Sequence, residues 1–329
     1  MLRRDLVALV PSVKGEAAER VAEVFDEAGL VDAARRDLGS RDSLTRIRAA
    51  EALGALRVAD AKPWLVAGLH DHDALMRLAC SRALAELGAV DTLPEIMAAL
   101  AAVDAEPGDV EEVLLAFGSG GVPYLAELLA GGSASERRLA AAALGHIRAI
   151  RVLPELRRVL DDPDDESVAA AARALGQLGD TRATAPLIEL LRSDRQWFVR
   201  VAAAAALGNL EDPAATTALI EQLDADEWDL RNAAARGLVA LGVEGLDAVI
   251  AAMNTMSDRG IAHFAGLLDV AGRMESIIVR AADGDGECDR FVRGAAAAGI
   301  QARLEELAAS PLKPGRYAAE VLSVAGAST

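Results

Sequence analysis

The chain has 329 residues, of which 52% are hydrophobic and only 3% aromatic, so its core must be built from Ala, Leu, Val and Ile. Lys and Arg number 34 against 51 Asp and Glu, a formal net charge of −17, which is the wrong sign for displacing the counterions of DNA or RNA phosphates. No run of about 18 uncharged apolar residues occurs, so no membrane-spanning helix is expected.

From the start, Met1-Leu-Arg-Arg-Asp5 carries two arginines, and Asp5 and Pro11 interrupt the apolar run that a signal peptide needs, so a cytoplasmic protein is expected. Residues 1–39 read as an N-terminal helical cap, with a helix over 16–28 that places Val21, Val24 and Phe25 on one side. From residue 40 the chain repeats itself. Residues 46–56 read RIRAAEALGAL, 77–87 RLACSRALAEL, 137–147 RRLAAAALGHI, 200–210 RVAAAAALGNL and 231–241 RNAAARGLVAL. Each has an Arg, a Leu seven residues later and a branched apolar residue ten later. The leucines are Leu53, Leu84, Leu144, Leu175, Leu207 and Leu238, with neighbours 31 or 32 apart except for the 60-residue gap between Leu84 and Leu144. A period near 31 suits two short helices and two turns.

In each unit a first helix is expected to open with a proline (Pro63, Pro94, Pro123, Pro154, Pro186), because the first helical N–H has no intrahelical partner to lose. Acidic residues such as Asp161, Asp162, Asp164 and Asp165 mark the next turn, where they suit N-caps and the positive end of the second helix. The second helix carries the Arg and the Ala-Leu-Gly signature. Gly54, Gly145, Gly176 and Gly208 either allow close helix packing or help to end that helix. Residues 101–122 form a degenerate unit, with no Arg at the key position and Gly118-Ser-Gly-Gly121 in place of the usual turn. That glycine run lacks the Lys-Ser/Thr ending of a phosphate loop. Residues 306–329 read as a loop through Tyr317 and a short capping helix.

The combined pattern, Arg followed by Ala-Leu-Gly, then Leu-Gly-Asp and a proline, resembles the HEAT-like repeats of phycobilisome bilin lyases over residues 40–305. The resemblance implies an all-α, right-handed α-α superhelix, an armadillo-type solenoid of about 8–10 helix pairs, with the second helices lining its concave face. The composition is rich in Asp and poor in lysine, which occurs only at positions 14, 62 and 313. In this it resembles proteins of salt-loving archaea.

Two series of residues stand out. Arg46, Arg77, Arg137, Arg200 and Arg231 recur at the head of the second helix, and Asp71 and Asp194 lie six residues before Arg77 and Arg200. A row of guanidinium groups could hold an anion. The resemblance implies instead a structural Asp/Arg ladder tying neighbouring turns, broken where Val168 takes the arginine's place. Trp197 and Trp228 each sit three residues before the key Arg of adjacent units, and Met256 holds the same offset before Arg259. The three are expected either to bind a partner as an apolar stripe or to cover the seams between repeats.

No metal, cofactor or catalytic set is expected. The histidines are His70, His72, His146 and His263, and no His-Glu pair occurs of the kind that binds iron in HEAT-like hydroxylases. Asp283-Gly-Asp-Gly-Glu287 lacks the later Gly and Glu of a calcium loop. Cys80 and Cys288 make no metal or redox spacing. The expectation is therefore a noncatalytic scaffold or adaptor whose partner is an unidentified protein or peptide. A lyase-like or chaperone-like subunit is the alternative, and a hydroxylase-like oxidoreductase is disfavoured by the missing His-Glu pairs.

Overall fold

The computed structural model describes residues 29–103, 105–298 and 301–326, so the helix expected over 16–28 lies outside the described residues. Those residues are all-α, with no strand among them. The chain divides into two compact units, Met1–Ala149 and Ile150–Thr329. In the first unit the helices run in pairs: α1 (Leu30–Asp37) with α2 (Ser43–Ala55), α3 (Lys62–Gly68) with α4 (Ala74–Glu86), α5 (Leu93–Ala101) with α6 (Pro107–Ala116), and α7 (Val122–Gly131) with α8 (Ala134–His146). The second unit continues with α9 (Leu153–Val159) and α10 (Asp165–Leu178), α11 (Thr184–Leu191) and α12 (Trp197–Leu210), and α13 (Thr216–Glu221) and α14 (Trp228–Ala240). It ends with α15 (Gly242–Ala252) and α16 (Asp258–Val270), α17 (Met274–Ala282) and α18 (Gly286–Ala297), and α19 (Ala302–Ala308) and α20 (Lys313–Gly326).

Local chemistry explains the pairs. Pro63, Pro94, Pro123 and Pro154 occupy the first turn of their helices, where no backbone bond is lost. A 3-10 turn leads into these first helices, as at Ala59–Ala61, Val90–Thr92 and Thr181–Ala183. Second helices begin at side-chain caps: Asp42 accepts from the Thr45 N–H, Asp73 from Leu75, Asp164 from Ser167, and Ser133 and Glu136 form a reciprocal capping box. The six leucines of the 31-residue series are all fully buried, each contributing roughly 1.5–3 kcal/mol of apolar burial.

The glycine of Ala-Leu-Gly serves packing. A Cβ on Gly54 would stand 2.5 Å from the Ala83 Cα, one on Gly176 2.6 Å from the Ala206 Cα, and one on Gly208 2.8 Å from the Gly237 Cα. Neighbouring second helices therefore meet backbone to backbone. Helix ending falls to a later residue in the left-handed region, such as Gly179 at φ 71°.

Two expectations need adjustment. The stretch 101–122 keeps the common order: Gly118–Gly121 forms the same 3-10 turn, and the departure lies in α6, which has 10 residues against 13 in α4. The segment read as a loop through Tyr317 is helical from Lys313, because Pro314 falls in a first turn, where it is tolerated.

The arginine series acts mainly on backbone carbonyls. Arg46 Nη1 donates to Ser40 O at 3.1 Å, Arg77 Nε to Asp71 O at 2.6 Å, Arg137 Nη1 to Gly132 O at 2.7 Å, and Arg231 Nη1 to Ala225 O at 2.6 Å. Each acceptor lies five or six residues upstream, in the turn after the first helix, where carbonyls lack helical partners. Asp71 adds a carboxylate rung: Arg46 Nε and Nη2 reach its two oxygens at 3.0 and 3.1 Å. Burial pushes the Asp71 carboxyl up, but the Asp73 backbone N–H and the Arg46 guanidinium outweigh it and hold it below the ordinary carboxylate value.

Asp194 departs from this pattern. It is exposed and pairs with no residue among those described, and Arg200 donates instead to Glu227 at 2.8 Å. Asp71 is met by the arginine of the preceding unit, and the unit before Asp194 has Val168 in that place. Arg195 turns back to the preceding unit, where its Nη1 donates to Asp162 O and to Asp165 Oδ1, both at 2.7 Å, and its Nη2 to Leu160 O at 3.4 Å. Those carbonyls lie upstream of Val168, in the unit whose second helix has no arginine at the key position. The missing donor is thus supplied by the next unit.

Three outcomes follow for urea unfolding. Gly176→Ala lowers stability by about 1–3 kcal/mol, because overpacking against backbone exceeds the gain in helix propensity. Gly108→Ala, where the new Cβ meets nothing within 4 Å, raises stability by about 0.5–1 kcal/mol. Equal effects at the two sites would refute the packing argument. Arg195→Gln costs about 1–3 kcal/mol by stranding its carbonyls. Arg182→Gln, whose exposed pair with Asp180 lies within one turn, changes stability by less than about 1 kcal/mol. Asp71 has a lowered folded pKa, so its contribution is present above the unfolded value near 3.9 and is lost as pH falls through the folded value. The stability gap between wild type and Asp71→Asn accordingly stays constant from about pH 7 to 5 and narrows below about pH 4. A gap that widened in acid would contradict this assignment.

Candidate partner-binding face

Trp197 and Trp228 are the first residues of α12 and α14, two second helices that pack directly on each other. Their N-cap residues, Gln196 and Glu227, make no side-chain capping bond. The two rings remain 44% and 58% exposed. Trp197 meets Phe198 edge-on at 6.0 Å between ring centroids. Trp228 meets His263 of α16 edge-on at 6.1 Å. Burial and the nearby Arg231 hold the His263 pKa below its ordinary value, which favours a neutral imidazole beside the indole. The third tryptophan differs: Arg35 lies over the Trp64 ring at 4.4 Å and covers its face.

Met256 is not placed like the tryptophans. The second helix of its unit starts at Asp258 behind the N-cap Ser257, so Met256 precedes the helix and Arg259 falls on its second residue. Arg259 pairs outward with Asp226 at 3.0 Å, and buried Ile261 takes the place at which Arg200 and Arg231 stand in α12 and α14. Met256 lines a groove of about 720 Å³ between the first helices α13 and α15, with Ile220, Ala248 and Ala252. The shared offset from an arginine misplaced it because this unit begins its second helix two residues later.

Sequence reasoning also missed residues of the same kind. Leu44 and Leu75, each the second residue of its helix, are 51% and 64% exposed on α2 and α4. Both stand two residues before a key arginine, an offset that could have revealed them. Arg173 on α10 and Arg236 on α14 are exposed at equivalent positions, two residues before Leu175 and Leu238. A second groove, of about 490 Å³, lies between the first helices α9 and α11, where Arg157 and Arg158 face Glu189 and Pro186.

Chemistry at other positions is muted. Among the described residues no group of three or more His, Cys, Asp or Glu is arranged to hold a metal ion. Asp285 caps α18 and binds Arg280, while Asp283 binds Lys313. Burial and Asp71 push the Cys80 thiol up to about 12, and burial and Asp285 do the same for Cys288. Neither thiol forms an appreciable thiolate near neutral pH. Among the described residues no single helix is long and apolar enough to cross a membrane.

The HEAT repeats family matches the chain over residues 12–114, 122–208, 169–239 and 186–265, well over half its length. No curated protein sequence matches it. Among solved structures, the complex of CpcE and CpcF of phycocyanin lyase from Nostoc sp. PCC7120 is 22% identical with a TM-score of 0.32, the match covering 73% of this chain and 94% of that one. Human deoxyhypusine hydroxylase in complex with glycerol is 22% identical with a TM-score of 0.33, covering 73% and 97%. A designed armadillo repeat protein is 20% identical with a TM-score of 0.34, covering 64% and 100%. At these identities the likeness is one of fold alone. With its helix pairs, its period and this family match, the chain belongs to the HEAT-repeat family.

Proposed function

We propose that the chain is a noncatalytic scaffold or adaptor, and that it binds a protein or peptide partner on the solvent face of second helices α10, α12 and α14. The observation that carries this reading is the pair of half-exposed tryptophans at equivalent places on adjacent helices. Leaving large indole surface in water forfeits apolar burial that a packing role would capture. Tryptophan is also enriched among the few residues that dominate binding energy. Met256 is not one of these anchors, since it lines the groove between first helices.

The charge of −17 fits the reading through solubility. We take it as adaptation to concentrated salt, as in proteins of salt-loving archaea. At 1 M salt the screening length is about 3 Å, so contact pairs rather than long-range attraction would select the partner.

The test is affinity capture from native lysate, identification of the retained protein, and measurement of its affinity for wild type and for Trp197→Ala/Trp228→Ala. The double substitution is expected to cost about 2 kcal/mol or more, roughly a 30-fold loss. A partner that bound the double variant undiminished would sink the proposal.

A further inference from the structure

Arg82 of α4 shows how this fold treats an arginine placed two residues before the buried leucine. Its Nη2 donates to Asp109 at 3.1 Å and to Glu112 at 2.7 Å, both on the next second helix, α6. Arg173 and Arg236 hold that same place before Leu175 and Leu238, and both are exposed. Among the described residues neither guanidinium has a hydrogen-bond or ion-pair partner. The helix between them, α12, contains no acidic residue along its whole length. It offers solvent Trp197, Ala205 and Asn209, with Val201 half-buried among them. In a chain with 51 acidic residues against 34 basic, the strip around Arg173, Ala205 and Arg236 is cationic and apolar, while exposed Glu166 and Asp229 lie further off, in the first turns of α10 and α14.

The register makes the strip continuous. Gly176 of α10 lies against Ala206 of α12, and Gly208 of α12 against Gly237 of α14, so the three helices pack in one repeating frame. Positions 173, 205 and 236 then form a single row, with Ala205 as a small, flat floor between two arginines. Close-packed helix axes lie about 8–10 Å apart, which puts Arg173 and Arg236 roughly 16–20 Å from each other. An extended peptide rises about 3.3 Å per residue and crosses that distance in about five or six residues.

We infer that the strip formed by Arg173, Ala205, Arg236 and the two tryptophans takes an extended acidic peptide segment of a partner protein. It would carry two carboxylates about five or six residues apart and apolar residues between them. Each guanidinium fork fits one carboxylate in a bidentate pair, and the apolar side chains reach from Ala205 across Val201 toward the indole rings, which begin two helical turns, about 12 Å, before that row. This rests on the binding face proposed above and adds the chemistry of its ligand.

The probe is a displayed library of short peptides randomised over Asp, Glu, Lys, Arg, Leu and Phe. It is selected on the full chain at a salt concentration where circular dichroism shows it helical. Wild type is expected to enrich peptides with two acidic residues at that spacing and Leu or Phe between them. Arg173→Glu/Arg236→Glu should turn the enriched charge to Lys and Arg. Arg173→Gln/Arg236→Gln, which keeps the inference testable if reversal unfolds the chain, should abolish the acidic preference without inverting it. Trp197→Ala/Trp228→Ala should lower enrichment about tenfold or more while leaving the charge preference intact. Enrichment of basic peptides by wild type, no enrichment at all, or an acidic preference unchanged in both arginine variants overturns the inference. Undiminished selection by the tryptophan variant overturns the binding-face reading instead. A native partner that needs the tryptophans but ignores both arginine variants leaves that reading standing and removes this inference.

Discussion

The backbone-to-backbone approach of neighbouring second helices is the constraint on which the other features depend. Gly176 against Ala206 and Gly208 against Gly237 leave no room for a side chain at the crossing. Helices this close gain dense dispersion contacts along runs such as Ala202–Ala204 without needing large residues. Each second helix then has a seam face filled by Ala and Gly and a core face that carries the anchor leucine. The remaining solvent face, freed from packing duty, is where tryptophan and unpaired arginine occur.

A second requirement follows from short helices. Every helix end leaves backbone carbonyls unpaired, and a chain with so many short helices has many such ends. At the head of four second helices Arg46, Arg77, Arg137 and Arg231 meet that need from within their own units, reaching back five or six residues to the turn. Because most of these acceptors are neutral carbonyls held at 2.6–3.1 Å, salt competes with them less than it would with exposed ion pairs.

The repeat architecture was legible in the sequence because spacing and burial report the same thing. Leucines at intervals of 31 can all be buried only if each unit repeats one geometry. The sequence leaves the Ala-Leu-Gly glycine open between packing and termination, since the choice depends on the distance to a neighbouring helix, which no linear pattern contains. The linear pattern misplaces Asp194 because its carboxylate would need an arginine where the preceding unit has Val168, and Met256 because of where its helix starts. Offsets along the chain assume that every second helix begins at the same point, and in the unit of Met256 it begins two residues later. The donor role of Arg195 was not legible either, because it acts on a unit other than its own. Trp197 and Trp228 were visible as rare residues in equivalent places, but their exposure had to come from the structure.

The reach of Arg195 across a unit boundary bears on how this chain can change over time. A repeat that carries its own turn-capping arginine depends on its neighbours for packing but not for closing its turn. The unit containing Val168 instead takes a turn-capping donor, Arg195, from the unit that follows it. Deletion of one of these two units is therefore expected to cost more than deletion of a unit that caps its own turn, and the pair is expected to behave as one block.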